Sequence, residues 1–320
     1  MITGFFLLSG ILLAWAFGRN NFSNIFGSAV GTGILSLKFA AFLTTVFLLL
    51  GAYLNSSGTS GTMAELSHFN TLFGAFSFSL IVAIMMLFLT RFGIPASVAQ
   101  ISVGALVGWN LALKESIAWE KVIDIVFGWF YSPVISCIIA FVIFKGVRLY
   151  LNKHPLPLLY QDIVVRILWM VVGSFTAYSL GANNMPVLTT PFAQVFGKAT
   201  FLSVLFSAVV GVGCLMASRR VIRMVSSKLF PLSSVESLIV GFSGALTLLL
   251  FSFQKGLFPP LPISVSAALI GAITGVSFAK SGYGLKGHVL LSIIFSWFWA
   301  PLFSCLLCFG FITIMGAGRF

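Results

Sequence analysis

Apolar runs of about 20 residues follow one another along the whole chain, and no other feature constrains the fold as strongly. A run of this length crosses a hydrocarbon core of about 30 Å as a helix. Hydrophobic residues make up 59% of the 320 residues and charged residues only 8%, so too few polar side chains remain to cover a water-soluble fold. We predict ten crossings, at residues 2–18, 37–54, 69–90, 94–112, 122–145, 163–180, 198–217, 235–253, 261–279 and 289–314.

The crossings are predicted to be helices, because backbone polar groups in lipid must be satisfied within the protein. No alternating pattern over segments of about ten residues indicates a β-barrel. The sequence therefore predicts an all-α integral membrane protein of the cell membrane, surrounded by a lipid bilayer.

The net charge of +12 is explained by membrane topology, so we expect no nucleic-acid partner. With the N-terminus outside, thirteen basic residues fall on or near the cytoplasmic side and five fall outside, as the positive-inside rule requires. Both termini are therefore predicted to be extracytoplasmic. The thirteen are Arg19, Lys38, Arg91, Lys145, Arg148, Lys153, Arg166, Arg219, Arg220, Arg223, Lys228, Lys280 and Lys286; the five are Lys114, Lys121, Lys198, Lys255 and Arg319.

Three features recur in the same order at nearly the same offset, which indicates a duplicated unit. They are Gly18-Arg19-Asn20-Asn21 and Gly181-Ala182-Asn183-Asn184, offset by 163 residues, Pro95 and Pro262, offset by 167, and Trp129 with Pro133 against Trp297 with Pro301, offset by 168. Each half contains five predicted crossings, an odd number, so the second half is expected to be inverted relative to the first.

We therefore predict ten to twelve transmembrane helices in two inverted-topology repeats, with some helices broken. Residues 1–145 form the first repeat and residues 163–320 the second. Residues 146–162 are predicted to be a cytoplasmic linker, so the chain has a single transmembrane domain.

The repeated motifs interrupt the apolar sequence with residues that suit a binding site. The two Asn-Asn pairs are expected to form turns whose amides replace a hydration shell. Pro95 and Pro262 suit the first turn of a helix, which places Ser97 and Ser264 just inside that turn, beside free backbone N–H groups. Two such helix starts predict a compact pocket of neutral donors for a tetrahedral oxyanion. Alternatively, these residues form only kinks and helix contacts.

Residues 18–27, Gly-Arg-Asn-Asn-Phe-Ser-Asn-Ile-Phe-Gly, resemble the Gly-Ala-Asn-Asp-x-Ala-Asn-x-x-Gly signature of the inorganic phosphate transporter (PiT) family. Residues 181–184 are similar to the second copy of this signature. The stretches that begin at Gly93 and Leu261 resemble the family's Gly-x-Pro-x-Ser-Thr-Thr element. The resemblance implies a secondary transporter that moves inorganic phosphate by alternating access, and it implies a homodimer. The candidate substrate-binding residues are Arg19, Asn20, Asn24, Ser97, Asn183, Ser264 and Ser266.

The chain departs from the family pattern where a coupling cation is expected to bind. The family carries an Asp at the positions of Asn21 and Asn184, which are the cation-coupling candidates here. A neutral amide offers a cation only a dipole, so we expect weak dependence on Na⁺ or none, and a proton gradient is the other candidate. Arg19 replaces an Ala of the family. It is either an anchor at the inner interface or a fixed positive charge in place of the missing cation.

Two alternatives to phosphate transport remain open. Sulfate has a similar size and shape, although only phosphate donates a proton to a buried acceptor, and the motifs contain no carboxylate. The lost Asp pair also leaves room for a receptor, scaffold or channel. No Ser-His-Asp order, P-loop or carboxylate pair supports an enzyme. The scattered His and Cys residues predict no metal site, and no cofactor is expected beyond a coupling ion.

Overall fold

Helices occupy most of the described residues, because the apolar runs leave the backbone no hydrogen-bond partner except itself. The structure, a computed structural model, describes residues 2–67, 69–94, 96–154, 158–223, 232–280 and 287–315. These ranges contain thirteen helices and no strand: α1 (Ile2–Ile25), α2 (Gly27–Gly31), α3 (Leu37–Asn55), α4 (Ser57–Leu66), α5 (Leu72–Arg91), α6 (Val98–Leu113), α7 (Trp119–Lys153), α8 (Leu158–Phe196), α9 (Ala199–Leu215), α10 (Arg219–Arg223), α11 (Ser234–Leu250), α12 (Val265–Ala279) and α13 (Gly287–Met315).

Each of the ten predicted crossings coincides with a helix, which confirms the all-α prediction. Five stretches are long and apolar enough to span a membrane: Leu37–Asn55, Leu72–Arg91, Trp119–Lys153, Asp162–Phe196 and Ile293–Met315. Four further apolar helices are shorter: Val98–Leu113, Ala199–Leu215, Ser234–Leu250 and Val265–Ala279.

The two Asn-Asn motifs lie inside helices, so the prediction that they form turns is wrong. Helix α1 continues through Asn20 and Asn21 to Ile25, and α8 continues through Asn183 and Asn184. The physical reason is that the Asn20 and Asn183 amides bond to other segments of the chain. They therefore do not compete with the hydrogen bonds of their own helices.

The second interruption of each half is present as non-helical backbone. The first break covers the described residues 92–94 and 96–97, between α5 and α6, and the second break covers residues 251–264, between α11 and α12. The first break begins with a turn in which Gly93 has a φ of +75°, a conformation that favours glycine. The ends of both breaks, at Ala96–Ser97 and Leu261–Ser264, are buried. Their backbone groups therefore need partners from the protein.

The duplication in sequence is matched by a duplication in contacts. Helix α1 packs on α9 as α8 packs on α3, and α6 packs on α13 as α7 packs on α12. A Cβ at Gly104 would meet the Pro301 carbonyl oxygen, and one at Gly271 would meet the Pro133 carbonyl oxygen. Each half therefore packs on the other through the same close approach of a glycine to a proline carbonyl.

The stretch 146–162, predicted as a linker, is largely helical. Its first eight residues belong to α7, and residues from 158 onward belong to α8. Pro95, Lys228, Lys286 and Arg319, which were used in the motif and topology predictions, lie outside the described residues.

Candidate functional site

Asn20 holds the first break from inside α1. Its Nδ2 donates to Thr90 Oγ1 at 2.7 Å and to the Ile94 carbonyl oxygen at 3.4 Å. Its Oδ1 accepts from the Ala96 N–H at 3.1 Å. The side chain is fully buried, so these bonds replace the water that non-helical backbone would otherwise require.

Asn183 holds the second break in the same way, from inside α8. Its Nδ2 donates to the Leu261 carbonyl oxygen at 2.9 Å and to the Phe251 carbonyl oxygen at 3.2 Å. Its Oδ1 accepts from the Ile263 N–H at 3.0 Å. The two asparagines therefore make equivalent bonds in the two halves of the chain.

These bonds occupy the donor hydrogens that we predicted would bind an anion. Instead of binding an anion, Asn20 and Asn183 position the segments that lead into α6 and α12. An Asp could not make the same set of bonds, because a carboxylate has no N–H to donate to the carbonyl oxygens of the break.

The breaks lead into two helix starts with equivalent caps. Ser97 is the N-cap of α6, and its Oγ accepts from the Gln100 N–H at 3.4 Å. Ser264 is the N-cap of α12, and its Oγ accepts from the Ala267 N–H at 3.2 Å. Ser266 Oγ lies 3.2 Å from Ser264 Oγ. Each helix start combines a serine hydroxyl with first-turn N–H groups that have no partner within the helix.

Both serines were predicted to lie inside the first helical turn, but they precede it as caps. Pro262 stands two residues before its cap, in the extended segment, so the prediction that it belongs to the first turn is wrong. The reason is that Asn183 bonds to both neighbours of Pro262, Leu261 and Ile263, and keeps this segment extended.

The remaining asparagines of the motifs bond locally. Asn21 Nδ2 donates to the Phe17 carbonyl oxygen at 3.2 Å, and Asn24 Nδ2 donates to Asn21 Oδ1 at 3.3 Å. Asn184 Nδ2 donates to Asn183 Oδ1 at 3.1 Å. Within the described residues, no group of three or more His, Cys, Asp or Glu side chains is placed to hold a metal ion.

Asn24 also lines a narrow cavity between the two halves. The cavity measures about 20 Å³, room for about one water. Asn24 and Ser23 face Trp169 and Ser237 across it. Asn24 Oδ1 and Trp169 Nε1 are buried and have no hydrogen-bond partner among the described residues. An unpaired acceptor and an unpaired donor therefore lie where the halves meet.

The convergence of all the predicted site residues is only partly seen. Asn20 bonds to the segment before Ser97, and Asn183 bonds to the segment before Ser264. Within the described ranges, no hydrogen bond joins these two sets. Asn24 and Arg19 are the predicted residues of the first half that lie against the second half, in two different cavities.

Arg19 lies in a different cavity, which we call the arginine cavity. This cavity measures about 630 Å³ and is lined by Trp15, Arg19, Leu87, Thr90, Arg91, Ala217, Ser218, Arg219 and Arg220. The Arg19 guanidinium carbon lies 5.2 Å from the centroid of the Trp15 ring. Arg220 Nη1 donates to the Arg91 carbonyl oxygen at 2.6 Å. Arg19 thus lies beside other arginines, although we predicted from the sequence that it would share a site with the Asn pairs.

Sequence reasoning missed Thr90 and Ser252, which complete the bonds of the two asparagines. Thr90 Oγ1 accepts from Asn20, and Ser252 Oγ accepts from Asn183 at 3.3 Å. The two hydroxyl residues are 162 residues apart, close to the motif offset of 163. A comparison of the two halves at this offset would have found them.

Comparison with known proteins agrees with this geometry. The model of the Phosphate transporter family matches residues 17–308. A protein of Pyrococcus abyssi named "Putative phosphate permease" is 23% identical, over 91% of this chain and 92% of that protein. A protein of the same name from Methanocaldococcus jannaschii is 22% identical, over 95% of this chain and 94% of its own length.

A solved structure described as "The sodium-dependent phosphate transporter" has the same fold. It superposes with a TM-score of 0.81 and 20% identity, over 99% of this chain and 100% of that one. The described helices and the family match, which spans most of the chain, make the protein an integral membrane protein. The chain belongs to the phosphate transporter family.

Proposed function

We propose that this chain is a secondary transporter that moves inorganic phosphate across the cell membrane by alternating access. The main support is the pair of equivalent helix starts, each capped by a serine and held by a buried asparagine. First-turn N–H groups and serine hydroxyls are donors that suit a tetrahedral oxyanion. Family membership supports phosphate as this anion.

In this mechanism, Ser97, Ser264 and Ser266 contact phosphate, while Asn20 and Asn183 position the helix starts. The cavity that Asn24 lines between the halves has room for about one water, so phosphate would enter it only after the halves have moved relative to each other. Rocking of one half against the other would expose the helix starts to each side in turn.

The unpaired Asn24 Oδ1 favours phosphate over sulfate. Its orientation is fixed, because Asn21 donates to the Phe17 carbonyl oxygen and must therefore accept from Asn24 Nδ2. The Asn24 oxygen then remains as a buried acceptor at the interface between the halves. Protonated phosphate can donate a hydrogen bond to it and sulfate cannot.

Uptake of labelled anions into proteoliposomes tests this proposal. We expect saturable phosphate uptake that excess sulfate inhibits only weakly, because sulfate lacks the proton for Asn24 Oδ1. Sulfate uptake that equals phosphate uptake would identify a general oxyanion permease. No uptake of either anion under any ion gradient would favour a receptor or scaffold.

Coupling to Na⁺ is proposed to be weak, because Asn21 and Asn184 replace the carboxylates of the family motif. A cation that leaves water needs compensating charge, and an amide supplies only a dipole. We expect phosphate uptake to change by less than about twofold when choline replaces Na⁺, a difference of under about 0.4 kcal/mol. Proton coupling is the alternative driver. An uptake rate that falls at least tenfold without Na⁺ would contradict this prediction.

The proposed topology has both termini extracytoplasmic. It rests on the asymmetric distribution of basic residues, and it places Lys153 inside and Lys255 outside. Both residues are exposed, so cysteines introduced there, in a variant without the four native cysteines, report on their side. An impermeant thiol reagent added to intact cells should label position 255 and not position 153. The reverse pattern would invert the topology. The homodimer implied by the family resemblance also stays a prediction.

A further inference from the structure

The arginine cavity carries an unusual concentration of positive charge. Arg19, Arg91, Arg219 and Arg220 line it, and none of its lining residues is acidic. Among the described residues, no carboxylate lies within ion-pair distance of Arg19, Arg91 or Arg220. The charges of Arg19, Arg91 and Arg220, held together without a carboxylate among the described residues, favour the binding of an anion.

Arg19 is the most buried of these arginines and is held in a fixed position. The Ser218 N–H donates to the Arg19 carbonyl oxygen at 3.1 Å, and the guanidinium lies over the Trp15 ring. Arg19 Nε is buried and has no hydrogen-bond partner among the described residues. A buried charged donor without an acceptor is destabilising, so an anion near the Arg19 guanidinium would offset part of this cost.

The positive-inside rule alone does not explain why these arginines line one cavity. A positive-inside bias requires basic residues near the membrane surface, where Arg91 and Arg220 are indeed exposed. It does not require a half-buried arginine, Arg19, to line a cavity together with Arg91 and Arg220. Ser218 adds a neutral donor, because its Oγ accepts from the Val221 N–H at 3.4 Å and its hydroxyl hydrogen remains available.

We propose that the arginine cavity is a second anion site, separate from the helix starts, that binds one phosphoryl group. Arg19, Arg91 and Arg220 supply charge-assisted donors to the phosphoryl oxygens, and Ser218 supplies a hydroxyl donor. The cavity, at about 630 Å³, is large enough for a phosphate that carries an organic group. Inorganic phosphate and the headgroup of an anionic phospholipid share this chemistry.

The site adjoins the first break. Thr90 lines the arginine cavity, and its Oγ1 also accepts the 2.7 Å bond from Asn20. At the position equivalent to Arg19 the second half has Ala182, so this charge has no counterpart there. An occupant would therefore lie beside one of the two breaks only.

Trp15 provides a local readout of binding, since its ring lies against the Arg19 guanidinium. We would titrate the full-length protein, in nanodiscs of neutral phosphatidylcholine at low ionic strength, with inorganic phosphate. The difference in fluorescence between the protein and its Trp15→Phe variant isolates the signal of this tryptophan. We expect a saturable change that weakens as salt is added.

Variants identify the groups that bind. Arg19→Ala and, separately, Arg220→Ala should each weaken phosphate binding by roughly tenfold to hundredfold. Arg19→Lys should recover only part of the affinity, because Lys cannot form a bidentate pair. The matched control is Arg148→Ala, which removes an exposed arginine outside the cavity and should leave affinity within about twofold.

Nanodiscs that contain phosphatidylglycerol distinguish the two sources of the phosphoryl group. An unchanged phosphate titration identifies free phosphate as the ligand. A Trp15 signal that is already shifted and no longer responds to phosphate identifies the lipid headgroup. Absence of any Trp15 response to both ligands, or an equal response in Arg19→Ala, would overturn the proposal. Binding does not require transport, so a protein without phosphate uptake can still show the Trp15 response.

Discussion

An Asn183→Asp variant is expected to lose phosphate transport and much of its stability. The carboxylate can still accept from the Ile263 N–H, but it cannot donate to the carbonyl oxygens of Leu261 and Phe251. The Leu261 carbonyl oxygen is then unsatisfied, at a cost of roughly 1–3 kcal/mol, while the Phe251 carbonyl oxygen keeps its bond from the Leu261 N–H. Thermal unfolding of the purified protein and phosphate uptake in proteoliposomes measure the two effects.

Two further variants separate the loss of hydrogen bonds from the gain of charge. Asn183→Leu removes the bonds without adding a charge and should be similarly destabilised. Asn152→Asp adds the same charge at an exposed position of α7 and should unfold within a degree or two of the parent protein. Normal stability of both Asn183 variants would mean that this side chain does not hold the second break.

A single methyl group at Gly104 is expected to separate α6 from α13. The added Cβ would overlap the Pro301 carbonyl oxygen, which is backbone and cannot rotate away. Overpacking of this kind costs about 2–3 kcal/mol. For a chain of this size, that loss lowers the unfolding temperature of Gly104→Ala by roughly 3–5 °C.

The matching glycine of the other pair repeats this test, and an uncrowded glycine in α7 provides the control. Gly271→Ala places its methyl group on the Pro133 carbonyl oxygen and should cause a loss of similar size. Gly146→Ala adds the same methyl group to α7, where no atom lies within 4 Å, and should leave stability unchanged or raise it slightly. Equal unfolding temperatures for all three variants would contradict the close packing of the halves.

The helices could be predicted from sequence because the signal for a membrane span is local. A run of about 20 apolar residues can be recognised without information about the segments it packs against. All ten predicted spans coincide with helices. The two breaks were also visible, since Pro262 and the matching motif at Gly93 interrupt apolar sequence. The repeat offset then linked the two breaks to each other.

The roles of the asparagines could not be read locally, because their partners lie 70 to 80 residues away. A pair of Asn residues close to a Gly favours a turn when only the local sequence is considered. Inside α1 and α8, the same side chains stabilise other segments, so the helices continue. The arginine cavity was missed for the same reason, since Arg19 and Arg220 meet only through the packing of α1 beside α10.

A structure determined with bound tungstate, an electron-dense tetrahedral oxyanion, would locate the transport site directly. We expect tungstate density within about 2.7–3.2 Å of Ser97 Oγ or Ser264 Oγ and of first-turn N–H groups of α6 or α12. Weaker density in the arginine cavity is compatible with this result. Density confined to the arginine cavity, with both helix starts empty at saturating tungstate, would contradict the assignment of the helix starts as the place where the transported anion binds.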